Sequence, residues 1–243
     1  MNSFFAALQF LTFCPWPKRI ERSAEEVGPS TIFFPVIGFG LGLVLVLINW
    51  LIQPFAASGL LSVLLVTVFV LATHGLHLDG LADTFDGLGA GGDRERVLRI
   101  MDDSHTGVFG VTAIVLVVLA KVQALSSIGE SRWRALLMAP VLSRWAMVLL
   151  AYRSKAAKEG LGSIMIVNME AKHFFCATFI TLVLAAGIQQ AIGIALMAGI
   201  GLFTLGSKLY LHRRLGGVTG DTFGAVGEIS EASVLVALAL VQQ

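Results

Sequence analysis

The chain is short of the residues that make a soluble surface. Only 14% of its 243 residues are charged, against about 25% in an ordinary soluble domain. Its two cysteines, Cys14 and Cys176, lie far apart in sequence and have no metal-type spacing. Buried reduced thiols are the expected state for both. His74 and His77 stand three apart beside Asp79, but no further His or Cys lies near enough in sequence to complete a zinc site. There is no Gly-x-Ser-x-Gly elbow, no P-loop and no dinucleotide fingerprint. The net charge of +1 says nothing about nucleic acid, but no basic tract is interleaved with aromatics, so no nucleic-acid partner is expected. No internal repeat or low-complexity segment stands out.

What the chain has in quantity is apolar residues, at 56%. They fall in runs close to the roughly 20 residues that cross a bilayer as helix. The runs predict an all-α, polytopic membrane helix bundle in a single domain, 1–243. Spans are expected near 31–53, 59–78, 107–128, 133–152, 174–189, 190–211 and 222–241. The last is the weakest, because Glu228 and Glu231 lie in it, so six spans are the alternative count. Gly38 and Gly42 give the first span a small-xxx-small pair suited to close helix packing. The Phe4–Phe13 run is too short to span, has no basic residues before it and no small-residue cleavage site, so it makes a poor signal peptide. It reads as an interfacial or re-entrant helix ending at Cys14-Pro15-Trp16-Pro17, with Trp16 at headgroup level.

Alternating the connections across the membrane sorts the basic residues sharply. One side receives Lys18, Arg19, Arg22, Arg94, Arg96, Arg99, Arg153, Lys155, Lys158, Lys172, Lys208, Arg213 and Arg214. The other receives only Lys121, Arg132 and Arg134, with Arg144 inside a span. By the positive-inside rule the first side is cytoplasmic. The polar segments near 77–106, 153–173 and 212–231 fall on that side, as an enzyme with cytoplasmic substrates would require.

The most specific of these segments is His77-Leu-Asp-Gly-Leu-Ala-Asp-Thr-Phe-Asp86-Gly. As helix, it places Asp79, Asp83 and Asp86 on one face. Like charges beside lipid repel and are poorly solvated, so a bound cation is expected there, and a hard divalent ion takes oxygen ligands. The alternative is a solvated acidic turn at the end of a span. A glycine-rich loop and a basic stretch with Arg94, Arg96 and Arg99 follow, suited to phosphate or simply to a cytoplasmic loop. Asp102, Asp103 and Ser104 either complete a metal shell, orient a hydroxyl or cap the next helix. Near the C-terminus, Asp221 and Glu228 lie seven apart and share a helical face, so carboxylates from two helices could hold Mg²⁺ and a diphosphate between them.

These motifs resemble the cobalamin synthase (adenosylcobinamide-GDP ribazoletransferase) family over nearly the whole chain. The resemblance runs from Phe10-Leu-Thr-Phe-Cys-Pro15-Trp-Pro17 and Phe34-Pro35 through the acidic motif, Arg94-Glu-Arg96 and Ile100-Met-Asp-Asp103-Ser104. It continues through Arg144, Tyr152-Arg153 and Glu159-Gly-Leu-Gly162 to Gly220-Asp-Thr-Phe-Gly-Ala225 and Glu228. The family often has an arginine where this chain has His105, and a small residue at His74. The resemblance implies a Mg²⁺-dependent enzyme of the bacterial inner membrane that joins adenosylcobinamide-GDP to α-ribazole or its 5′-phosphate and releases GMP. It implies Asp79, Asp83, Asp86, Asp221 and Glu228 as metal ligands. Arg94, Arg96 and Arg153 would contact phosphates, with His77, Ser104 and Thr222 also on the substrate. Asp83, Asp86 or Asp103 would handle the proton of the attacking hydroxyl. A homo-oligomer, or association with other corrinoid-pathway enzymes, is compatible with such a protein. A CDP-alcohol phosphotransferase fits less well, since Ala82 is followed by Asp83 rather than arginine and the second half of that motif is missing. An ion-coupled transporter would place its acids near the midplane in two related halves, and here they gather at one face.

Overall fold

The computed structural model describes residues 2–13 and 24–241, and Cys14, Trp16, Lys18, Arg19 and Arg22 lie outside them. The described residues form α1 (Asn2–Leu11), α2 (Ala24–Ser30), a single 3₁₀ turn (Thr31–Phe33) running into α3 (Phe34–Ile52), α4 (Ser58–Ala72), α5 (Leu76–Ala90) and α6 (Arg94–Met101). After these come α7 (Val108–Ser127), α8 (Arg132–Ala151), α9 (Leu161–Val167), α10 (Ala171–Leu215) and α11 (Gly220–Val241). Among them the only β pairing is an isolated bridge between Ala156 and Val218. Among the described residues, five helices are long and apolar enough to cross a membrane, or six if the bent pair α4–α5 counts as one span. The chain is an all-α polytopic membrane protein.

The bundle is built around α8, which is almost wholly buried. Helices cannot gain hydrophobic free energy from each other in lipid, so close approach of small residues matters more. Gly38 and Gly42 of α3 supply it. A Cβ at Gly38 would lie 2.5 Å from the Pro140 carbonyl oxygen, and one at Gly42 would lie 2.7 Å from that of Leu136. The opposite faces of α7 and α10 carry exposed Val115, Leu116, Leu119, Phe179, Val183 and Leu202, the pattern of a lipid-facing surface. Cys176 sits on that outer face of α10, exposed rather than buried.

Two elements depart from uninterrupted spans. At 45 residues, α10 is twice a membrane's thickness, and Gln190 breaks it at φ 49° and ψ −128°. Gly193 comes directly against the Ala185 carbonyl, eight residues earlier. A straight helix would hold those residues about 12 Å apart, so the chain doubles back into two arms at the boundary expected between 189 and 190.

The second departure corrects the span expected at 59–78. Helix α4 ends at Ala72, and α5 leaves it at 88°. Thr73 turns its hydroxyl back to the Phe69 and Val70 carbonyls, and His74 (φ 56°) and Gly75 (φ 68°) take the left-handed conformation. The turn is braced by the residues just after α1: the Phe13 N–H donates to the Ala72 carbonyl, and the Phe13 ring stacks on His74 at 4.8 Å. From there α5 runs antiparallel to both α7 and α11. Asp86 meets Gly107 and Gly110, His77 meets Gly224, and Gly80 meets Asp221. The acidic motif is therefore a helix of its own, wedged between two spans.

Candidate active site

The crossing of α5 and α11 is tight because both helices carry glycine there. A Cβ at Gly80 would lie 2.7 Å from the Asp221 carbonyl oxygen, and one at Gly224 would lie 2.9 Å from that of His77. Two acidic helix segments are thereby pressed together. Asp79 is exposed and Asp83, one turn further along α5, is half-buried. Asp83 feels the like charges of Asp79, Asp221 and Asp86. Asp79 and Asp221 both face a cavity of about 270 Å³, lined also by His77, by the apolar Phe10, Met147 and Phe223, and by Glu159–Ser163.

The structure also brings Lys158 to this cavity, from the loop between α8 and α9. Its ammonium bonds Asp102 at 2.5 Å and Asp221 at 3.0 Å. Burial opposes the Lys158 charge, but the bonds and charges of Asp102 and Asp221 outweigh it and push its pKa up. The sequence places this lysine among many loop cations, and nothing in its neighbourhood singles it out.

Several expected site residues have structural partners instead. Both oxygens of the buried Asp86 accept backbone N–H groups, from Gly107 at 2.7 Å and Gly110 at 2.9 Å. Asp86 thus caps the first turn of α7 from another helix, the role expected of Asp102, Asp103 or Ser104. Thr222 closes a reciprocal cap with Thr219 at the start of α11, bonding its N–H at 2.9 Å and its carbonyl at 2.9 Å. Arg94 donates to the Leu215 carbonyl at 2.7 Å and the Ala157 carbonyl at 2.8 Å, tying α6 to the C-terminus of α10. Exposed Asp103 accepts both the backbone and ring nitrogens of His105, which hold it below the usual carboxylate range. Ser104 and Arg96 are exposed, and so is Arg153, which stacks on Tyr152 at 5.3 Å.

Glu228 is not brought to the cavity. One helical turn is about 5.4 Å, so seven residues carry it two turns deeper than Asp221. There it pairs with Lys121 at 2.6 Å. Lys121, counted by sequence with the basic residues of the far side, is buried in α7 and also bonds Glu231 at 2.6 Å. Arg144 bonds the other oxygen of Glu231 at 2.9 Å, and both cations lie over the Phe69 ring. Two anions and two cations close on one another away from water. This explains how a helix carrying Glu228 and Glu231 can be a span.

His77 is buried at 4% exposure, on the cavity wall, and neither ring nitrogen has a hydrogen-bond partner. A buried polar group without a partner in a protein marks a place for water or ligand. Among the described residues no three His, Cys, Asp or Glu side chains stand close enough to cage a metal ion on their own. The donors at the cavity are carboxylates, which suits a hard cation. Magnesium ordinarily takes only one or two protein carboxylates, with substrate phosphates and waters completing its shell. The residues therefore fit an ion that arrives with a phosphate ligand, and not a resident protein-caged one.

The chain matches the family model for cobalamin-5-phosphate synthase over residues 3–239. It belongs to that family. It is 40% identical over 239 residues to an adenosylcobinamide-GDP ribazoletransferase of Geotalea daltonii, covering 98% of this chain and 97% of that one. It is 40% identical over 243 residues to the protein of that name from Syntrophobacter fumaroxidans, covering 98% of each. A relative of that name from Escherichia coli K12 is 39% identical over 248 residues, covering 97% of this chain and 98% of its own. No solved structure matches. The proteins it resembles are transferases of cobalamin synthesis, and their match to this family member spans both α5 and α11.

Proposed function

We propose that the chain transfers the corrinoid phosphate of adenosylcobinamide-GDP to α-ribazole or its 5′-phosphate, with release of GMP, in a Mg²⁺-dependent reaction at the cytoplasmic face of the bacterial inner membrane. The observation that carries this reading is the convergence of Asp79 and Asp221, from two helices, on one cavity, with Asp83 near enough to feel both charges, in a chain that matches the family over residues 3–239. The cytoplasmic placement is supported by the basic segments that meet at the same end of the bundle. Arg94 holds Leu215 and Ala157 there, and Arg214 donates to the Gly92 carbonyl at 2.7 Å.

Asp79 and Asp221 are the residues that would hold Mg²⁺. The ion, when bound, would neutralise the diphosphate and the departing GMP. In the transfer, the acceptor hydroxyl oxygen forms a bond to the phosphorus on the corrinoid arm, and the bond from that phosphorus to the GMP oxygen breaks. The hydroxyl proton goes to a carboxylate. Asp83 is placed for this, since it is half-buried and makes no hydrogen bond or ion pair to the described residues, whereas Asp86 is committed to the α7 cap and Asp103 to His105. His77 offers a ring nitrogen to the ligand from the cavity wall. The apolar lining of Phe10, Met147 and Phe223 shields the reacting groups from water. In vesicles, Asp83→Asn should stay folded and lose Mg²⁺-dependent GMP release. Near-normal turnover in that variant would sink the assignment.

A further inference from the structure

Lys158 has two carboxylate partners, Asp102 on the turn after α6 and Asp221 on α11. Among the described residues it is the one opposing charge that acts appreciably on Asp83, against Asp79, Asp221 and Asp86. Its side chain is about a quarter exposed, so it is neither locked in the core nor free in solvent. The same cavity wall carries His77, buried and with both ring nitrogens unpartnered. That orphaned group points to a polar ligand in this cavity independently of the acids.

A lysine is suited to a post it must leave. Its ammonium is a compact charge with three donors on a flexible four-carbon stem, whereas an arginine fork would be fixed to its carboxylates. A divalent cation that takes Asp221 must compete with this ammonium for the same oxygens. The displaced ammonium would then lie beside the phosphates that arrive with the cation.

We propose that Lys158 is an exchangeable counter-ion, salt-bridged to Asp221 and Asp102 before a divalent cation binds, and turned to the substrate's diphosphate once the cation takes Asp221. This rests on the metal and diphosphate reading of the site given above. Lys158 would then be a catalytic residue in the second state.

The test uses the full chain in lipid nanodiscs, with Mn²⁺ binding read by electron paramagnetic resonance and the KM for adenosylcobinamide-GDP read from GMP release. Lys158→Met removes the competitor, so Mn²⁺ alone should bind about fivefold more tightly, the scale of one partly exposed ion pair. The KM should rise about tenfold or more, as a charge-assisted bond to phosphate is lost. Unchanged or weaker Mn²⁺ binding in Lys158→Met would overturn the exchange, and tighter binding with an unchanged KM would overturn the turn toward diphosphate. Lys158→Arg guards against misfolding of the first variant. It keeps the charge but fixes it to its carboxylates, and should weaken Mn²⁺ binding by roughly twofold, while tighter or unchanged binding counts against the proposal. A wild-type chain that binds no Mn²⁺ but still releases GMP would remove the metal reading itself. That result is distinct from failure of the Lys158 step alone.

Discussion

Two charge clusters share α11, two helical turns apart, and they are built on opposite plans. The deeper one is closed. Lys121, Arg144, Glu228 and Glu231 match two cations to two anions, all nearly inaccessible, with bonds of 2.6–2.9 Å. The outer one is open. Asp79, Asp83, Asp102 and Asp221 have Lys158 for a nearby cation, and Asp79 and Asp221 line a cavity whose wall also holds a buried, unpartnered histidine. Balanced charge in a membrane interior holds helices together, whereas uncompensated charge beside a cavity is free to act on a ligand. A carboxylate thus serves structure at Glu228, and under the proposed function another serves the ligand at Asp221.

The comparison can be broken most forcefully at Asp83. Asp83→Asn should lower GMP release by about 10³-fold, the scale of a lost acid–base group, without shifting the unfolding temperature downward. At the closed cluster the effect should fall on stability instead. Lys121→Met leaves Glu228 and Glu231 short of a partner and should cost about 3–5 kcal/mol, the scale of breaking a buried ion pair. Thermal unfolding in detergent measures it, and adding Glu228→Gln to that variant should recover part of the loss. A smaller loss, about 1 kcal/mol, is expected for Asp86→Asn, which weakens the cross-helix cap of α7. Hydrogen exchange confined to the first turn of α7 would report it. The smallest change should come from Arg94→Ala. Its guanidinium is spent on the Leu215 and Ala157 carbonyls but is partly exposed, so stability should drop by only about 0.5 kcal/mol with the KM for the GDP-corrinoid unchanged.

Much of the fold was legible because membrane spans announce themselves as long apolar runs. The breaks at 107–108, 132–133 and 189–190 fall where hydropathy places them. The end of α4 was not legible, since the apolar run continues through Leu76 and Leu78. Only the left-handed turn at His74-Gly75 ends the helix, and its brace comes from Phe13, distant in sequence. The acidic face of α5 was readable from its i, i+4, i+7 spacing, because that periodicity is local. The partners were not. Helical spacing puts Asp221 and Glu228 on one face but says nothing of Lys121, which α7 delivers to Glu228 across the bundle. Asp86 shares the spacing of Asp79 and Asp83, yet Gly107 and Gly110 approach it from α7 and claim both its oxygens. Lys158 looks like any loop lysine until folding sets it between Asp102 and Asp221.

The division between an open, acting cluster and a closed, holding one is tested most directly by turnover per folded molecule for Asp83→Asn and Glu228→Gln, reconstituted side by side with Mg²⁺, adenosylcobinamide-GDP and α-ribazole. GMP release should be lost in Asp83→Asn, while Glu228→Gln, though less stable, keeps turnover within about threefold of wild type, the scatter of a site left intact. Loss of turnover in Glu228→Gln together with near-normal turnover in Asp83→Asn would contradict the account.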